Sequence, residues 1–275
     1  MTLPNDSRRP DAGVKLHTMP ADLSIENRVA VVIGGTSGIG RALAVGLARH
    51  GADVVATGRR QSELDAVAGE IEGAGRQTLR QTADARKRAT IDALRDATLA
   101  RFGRVDILIN AARYTFQEPT LTVDEERFTA LMDTHLMGVL RACQSFHAPL
   151  ASSGHGRIVN IASLASLVAF HQVAAYCAAK AAIVSLTRSL ACEWAADGIV
   201  VNAMAPGVFP TEMNRSLIMG TARGRELLMR TPMKRFGQPE ELVGLAVLLS
   251  SDAASFLTGQ CIAVDGGILA SGVNS

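Results

Sequence analysis

The stretch VAVVIGGTSGIGRALA, residues 29–44, passes from five apolar residues into a glycine-rich turn and then into an Ala/Leu pattern at helical spacing. Gly34, Gly38 and Gly40 stand in a G-x-x-x-G-x-G spacing between strand and helix. Glycine is required where a chain turns tightly out of a strand and where its backbone must approach an anion, whose charge then meets the free N–H groups and positive end of the helix. Thr36, Ser37 and Ile39 add side-chain and backbone donors to the same turn. The pattern predicts a nucleotide pyrophosphate cradle, against the plainer reading of a Gly-rich turn that holds nothing.

Outward from this stretch, short β-branched runs alternate with longer Ala/Leu-rich ones. The runs at 28–33, 52–57, 76–81, 105–110, 156–162, 199–204 and 260–265 each fit one buried strand. The stretches GIGRALAVGLARHG, SELDAVAGEIEGAG and ATIDALRDATLARFG fit crossover helices closed by glycine. Such alternation predicts an α/β fold, a Rossmann-like doubly wound seven-stranded parallel sheet with helices on both faces. No repeat or linker interrupts it, so residues 25–275 read as one domain. The segment 207–236 is too long for a routine connection and mixes Phe209, Met213, Leu217 and Met229 with polar residues. It reads as a substrate lid or as an excursion packing on a partner subunit.

The chain has 275 residues, 48% hydrophobic and 20% charged, enough to bury a large core. A net charge of +2 and the lack of any Lys/Arg run interleaved with aromatics argue against a nucleic-acid partner. Nowhere do eighteen apolar residues run together, so no membrane span is expected and a cytoplasmic location is the default. Cys143, Cys177, Cys192 and Cys261 form no CxxC pair, which argues against a metal site or a disulfide framework. Residues 1–24 read as a flexible arm, with Met19 as an alternative start.

At the end of the second strand run the chain reads ATGRR. No Asp or Glu stands there to meet a ribose 2′-hydroxyl, whereas a guanidinium can pair with a 2′-phosphate through two parallel bonds. Arg59, with Arg60 beside it, therefore points to NADP(H) as the preferred cofactor and leaves NAD(H) open. Asp84, followed by Ala85, is placed to meet the adenine amino group, or else to cap a helix.

In AAYCAAKAAIVSLTRSLACEWA, Tyr176 and Lys180 lie one helical turn apart. Ser163 lies thirteen residues before Tyr176, at the carboxyl end of the fifth strand run, where open α/β sheets bind ligands. Hydride reaching a carbonyl carbon leaves an alkoxide that a positioned acid must protonate. Tyr176 suits that role if nearby positive charge lowers a phenol pKa of about 10. Lys180 can supply the charge and hold the nicotinamide ribose, while Ser163 donates to the substrate oxygen.

With these motifs the chain resembles the short-chain dehydrogenase/reductase family, in its single-domain branch, over roughly residues 25–268. VNAMAPG, with Asn202, Pro206 and Gly207, then Thr211 and the terminal VDGG, add to the match. The resemblance implies that Pro206, Gly207, Val208 and Thr211 lie beside the nicotinamide carboxamide, and that Asn110, Ala111 and Ala112 line the cofactor crevice. It implies a small-molecule carbonyl or alcohol substrate and a homotetramer built through residues 122–150, 174–197 and the C-terminal helix and strand. The chain resembles the branch containing gluconate 5-dehydrogenase and related sugar-acid reductases, and less closely the 3-oxoacyl-carrier-protein reductases, which points to a sugar acid or hydroxyacid, with a larger apolar ketone next. Arg113, His171 and Gln172 suit the former; Phe209, Met213 and Leu217 suit the latter.

Three positions depart from the family pattern. Ile33 replaces a Thr, Asn110-Ala111-Ala112-Arg113 replaces an NNAG-like segment, and His135 stands where relatives carry a fourth catalytic Asn. His135 is thus a candidate in the proton route or a packed helix residue. The competing reading of the whole chain is a catalytically silent NADP-binding protein.

Overall fold

The computed structural model describes residues 22–212 and 214–272, so the arm expected over 1–24 falls almost wholly outside the described residues, as does Met213. Asp22 is tied to the body, its carbonyl accepting from the Ala253 N–H at 3.0 Å.

Among the described residues six strands form one parallel sheet: β1 (Val29–Ile33), β2 (Asp53–Thr57), β3 (Ile107–Asn110), β4 (Arg157–Ile161), β5 (Val200–Pro206) and β6 (Cys261–Val264). Their order is β2-β1-β3-β4-β5-β6. Because the chain leaves β1 for one edge and returns to β3 on its other side, the loops diverge above the β1–β3 pair and open a crevice there.

Residues along β1 alternate between two cores. Ala30 and Val32 pack towards α1 (Gly38–Arg49), α2 (Gln61–Gly73) and α9 (Val243–Ser250). Val31 and Ile33 pack towards α3 (Arg88–Phe102), α5 (Gly138–Ser152) and α6 (Ala174–Glu193). Both faces of the sheet are covered, which explains why its strands read as unbroken apolar runs. Each fully buried Leu, Ile or Phe, such as Leu43, Ile109 or Phe146, contributes about 1.5–3 kcal/mol relative to exposure.

The expected strand over 76–81 does not join the ladder. It runs beside β2, where Val54 N–H donates to the Gln77 carbonyl at 3.0 Å, but the Gln77 N–H is taken by the Asp53 carboxylate at 2.8 Å. Leu79 alone of this polar run packs against the core. With the Gln77 N–H claimed by a side chain and only one apolar anchor, this run does not extend the sheet. The remaining helices, α4 (Glu125–Met132), α7 (Arg215–Ile218) and α8 (Ala222–Arg230), lie near the crevice.

Candidate active site

At the nucleotide end the glycines are demanded by contact. Gly34 has φ +79°, and a Cβ on it would lie 2.5 Å from the Ala112 nitrogen. A Cβ on Gly40 would lie 2.0 Å from the Gly34 carbonyl oxygen. These approaches press the turn against the loop after β3 and leave α1 starting at Gly38. Its N-cap, Ser37, makes no side-chain capping bond, so the first-turn N–H groups are without a capping side chain.

A cavity of about 340 Å³ extends from this turn over the ends of β1 and β2. Gly34, Thr36, Ser37, Arg59, Arg60, Asp84, Ala85, Ala111 and Ala112 all line it, together with Ile33. One expectation is corrected here. A carboxylate does reach this lobe: Glu63, from the first turn of α2, accepts from Thr36 Oγ1 at 3.4 Å and pairs with Arg60 at 2.5 Å. The two guanidinium groups therefore differ. Arg60 is neutralised by Glu63, while Arg59 makes no hydrogen bond or ion pair among the described residues. The i,i+3 spacing of Arg60 and Glu63 carried this signal in the sequence.

Asp84 does not end a strand and does not cap α3, whose N-cap is Lys87. Its carboxylate accepts from the Arg86 backbone at 3.0 Å and side chain at 3.1 Å. Burial pushes its carboxyl up, but the Arg86 hydrogen bonds, with the Arg86 and Arg59 charges, leave it below the ordinary value. Asn110 turns its side chain into the core: Nδ2 donates to Asn160 Oδ1 at 2.9 Å, and Asn160 Nδ2 donates to Thr187 Oγ1 at 3.0 Å. This buried relay, which ties β3, β4 and α6 together, was not anticipated from sequence.

The chemical end is a second cavity, of about 280 Å³, that brings Ser163, Tyr176 and Lys180 together with Ile39, Pro206, Gly207 and Val208. Ser163 caps the single helical turn at 164–166, its Oγ accepting from the Ala165 N–H at 3.1 Å. Its hydroxyl also faces the Tyr176 hydroxyl closely enough to favour the phenolate. Lys180 Nζ, buried, donates to the Ile161 carbonyl at 2.6 Å and sits 5.6 Å from the Tyr176 ring centre. Burial, with the Arg113 charge added, pulls the Lys180 ammonium down to about 7. Burial likewise pushes the Tyr176 phenol up, opposed by the Ser163 hydroxyl and then by Arg113. Arg113 thus adds a positive charge beside the phenol that was not expected, alongside the buried Lys180 Nζ.

His135 is fully buried inside a π-helical turn, Asp133–Met137, that interrupts the run from α4 into α5. Its Nε2 lies 2.6 Å from the Tyr114 carbonyl and 3.1 Å from the Tyr114 N–H, and its ring meets Tyr176 edge-on at 5.5 Å between centres. Burial, then the Lys180 charge, lowers its pKa to about 3, so the ring is neutral near pH 7. Nδ1 is buried without a hydrogen-bond partner among the described residues.

The remaining wall comes from Phe116, Phe170 and the segment after β5, through Phe209, Leu217, Ile218, Arg223 and Leu227. Arg223 opens α8 and donates to the His171 carbonyl at 3.3 Å. No sequence signal had singled it out. His171 and Gln172 themselves do not line the cavity: Gln172 is turned to Gln117 at 2.8 Å. Thr211 sits over Gly38 and accepts from Arg113 Nη2 at 2.7 Å. The ionisable groups around the cavity are Arg113, Tyr176, Lys180 and Arg223, with no carboxylate among the described residues that line it.

A protein-family model described as enoyl-(acyl carrier protein) reductase matches residues 34–269, which include Gly34, Arg59, Arg113, Ser163, Tyr176 and Lys180. Gluconate 5-dehydrogenase of Gluconobacter oxydans is 39% identical over 254 residues, 92% of this chain and 98% of the relative. The chain belongs to the short-chain dehydrogenase/reductase family. As a family member it is an oxidoreductase acting on CH–OH groups. The 2-dehydro-3-deoxy-D-gluconate 5-dehydrogenase of Escherichia coli is 38% identical, with 90% of this chain and 97% of the relative covered. Among solved structures, a gluconate 5-dehydrogenase from Burkholderia cenocepacia in complex with NADP and tartrate superposes with a TM-score of 0.87 at 36% identity, covering 91% of this chain and 98% of the other. No helix among the described residues is long and apolar enough to cross a membrane.

Proposed function

We propose that this short-chain dehydrogenase/reductase moves a hydride between NADP(H) and the carbonyl or secondary alcohol of a small anionic substrate, a sugar acid or hydroxyacid. Tyr176 is the general acid and base. The observation that carries the reading is the convergence of Ser163, Tyr176 and Lys180 on a cavity that also carries Arg113 and Arg223 and no carboxylate. The tartrate and NADP in the Burkholderia relative, and the sugar-acid names of the other two, favour the same class.

The crevice suits a dinucleotide because the α1 start lacks a capping side chain and opens onto a cavity that runs from Gly34 and Ser37 to Arg59. Arg59 is the cation free to meet a 2′-phosphate, which favours NADP(H); NAD(H) would have to be held by Glu63 instead. Bound, the nicotinamide supplies the hydride. In reduction the Tyr176 hydroxyl gives its proton to the oxygen that becomes the alcohol, and Ser163 donates a hydrogen bond to that oxygen as charge grows on it. Lys180, 5.6 Å from the Tyr176 ring centre, steadies the phenolate that remains. In this reading Lys180 exchanges the Ile161 carbonyl for the ribose, His135 holds the Tyr114 backbone against Tyr176, and the segment 207–236 closes over the substrate.

The test is oxidation of NADPH and NADH, followed spectroscopically, against a panel of ketones, keto acids and oxidised sugars. Tyr176→Phe is expected to lower kcat/KM by about 10²–10⁴-fold while leaving NADPH affinity in place. Full turnover in that variant would overturn the role of Tyr176, and cofactor binding with no turnover on keto acids would favour the silent binder. We also propose a homotetramer; a monomer by light scattering would refute it.

A further inference from the structure

The two cavities of the crevice meet at Ala111 and Arg113, the residues that line both. Arg113 crosses at this point from the loop after β3 to the loop after β5, where its Nη2 bonds Thr211 Oγ1 at 2.7 Å. Beneath the bond lies the start of α1: a Cβ on Gly38 would be 3.7 Å from Arg113 Nη1 and 3.2 Å from Thr211 Cγ2. Any dinucleotide running from Arg59 to Tyr176 has to pass this bridge.

The guanidinium is poorly placed where it stands. It faces the positive end of a helix, it has no carboxylate partner among the described residues, and its neighbours Lys180 and His135 are each held towards neutrality partly by its charge. Its one hydrogen bond is to a neutral hydroxyl, which in turn can donate to Asn214 Oδ1 at 3.2 Å. An anion entering between Arg113 and α1 would relieve all of these at once. A diphosphate matches the guanidinium fork through two parallel charged hydrogen bonds, which a single hydroxyl cannot.

We propose that Arg113 is a strap across the cofactor crevice, latched to Thr211 in the free protein and transferred to the dinucleotide diphosphate on binding. The proposal rests on the dinucleotide reading given above but not on the choice of substrate or of NADP over NAD. It makes the arginine that replaces a small residue in the family pattern a cofactor-holding group.

Calorimetric titration of the substrate-free protein tests it with three probes: NADP⁺, ADP-ribose, which carries the diphosphate alone, and adenosine 2′-phosphate, which lacks it. Arg113→Ala is expected to weaken NADP⁺ and ADP-ribose by about 10–100-fold, as for loss of hydrogen bonds to a charged group. It should leave adenosine 2′-phosphate unchanged. Arg113→Lys, which keeps the charge but not the fork, should fall between, and serves if the alanine variant is unstable. Unchanged or tighter ADP-ribose binding in either variant, or an equal loss for adenosine 2′-phosphate, would overturn the strap. Wild type binding NAD⁺ as tightly as NADP⁺ would defeat the Arg59 reading and leave the ADP-ribose comparison intact.

Discussion

Replacing Gly40 by Ala tests the glycine cradle directly. The added Cβ would lie 2.0 Å from the Gly34 carbonyl oxygen. That neighbour is backbone, so no rotamer change relieves the clash, and the turn must move away from α1. Overpacking costs about 1–3 kcal/mol, and a backbone neighbour places this case near ~3. Alanine returns about 1 kcal/mol of helix propensity, leaving a loss of roughly 2 kcal/mol. At about 2–4 °C per kcal/mol, the melting temperature should fall by roughly 4–8 °C. Gly69, exposed on α2 with nothing within 4 Å of its added Cβ, is the control. Gly69→Ala should stabilise by up to ~1 kcal/mol from propensity alone. Thermal unfolding of both variants, with NADPH affinity by fluorescence titration, decides the matter. A Gly40→Ala protein that melts with the wild type and binds NADPH equally well would refute the reasoning.

Further expectations concern charge and burial. Glu63→Gln removes the carboxylate from the Arg59 lobe and frees Arg60, so the affinity ratio of NADP⁺ to NAD⁺ should rise, whereas Arg59→Ala should lower it about tenfold; unchanged ratios in paired titrations would contradict this assignment. Lys180 is lowered to about 7, so between that value and the ordinary lysine range it is mostly neutral in the free protein; a diphosphate nearby favours the ammonium, and NADPH binding at pH 8 should take up protons. Calorimetry in buffers of different ionisation enthalpy reads that uptake, which Lys180→Met should abolish. The same shift makes the unfolded chain bind the extra proton from about pH 7 upward, so this group's contribution to stability rises with pH through that window. Asn160→Ala leaves the buried Asn110 amide only the weak contact to Cys143 Sγ at 3.5 Å, while the Thr187 hydroxyl keeps the Ile183 carbonyl; the cost should be about 1–3 kcal/mol, and the melting temperature should drop without any change in NADP⁺ preference.

The alternation of apolar runs and helical stretches, the glycine turn, and the Ser163, Tyr176 and Lys180 set were legible in order because each is a short-range pattern. A strand period, a turn that excludes side chains, or two residues one helical turn apart is written within a few residues. Such patterns determined the fold class, the carboxyl-end location of the candidate site and the reaction class. The edge segment 76–81 shows their limit: its β-like composition lost to the Asp53 carboxylate, twenty-four residues away, which claimed the donor a ladder needs. What only the tertiary structure decided was which charges share a space. Glu63 reached the lobe of Arg59, Arg113 joined Lys180 as a charge beside Tyr176, and Arg223 arrived on the cavity wall from α8. Electrostatic energy depends on through-space distance and burial. A linear sequence carries neither for residues such as Arg113 and Thr211, ninety-eight positions apart and joined by a 2.7 Å bond.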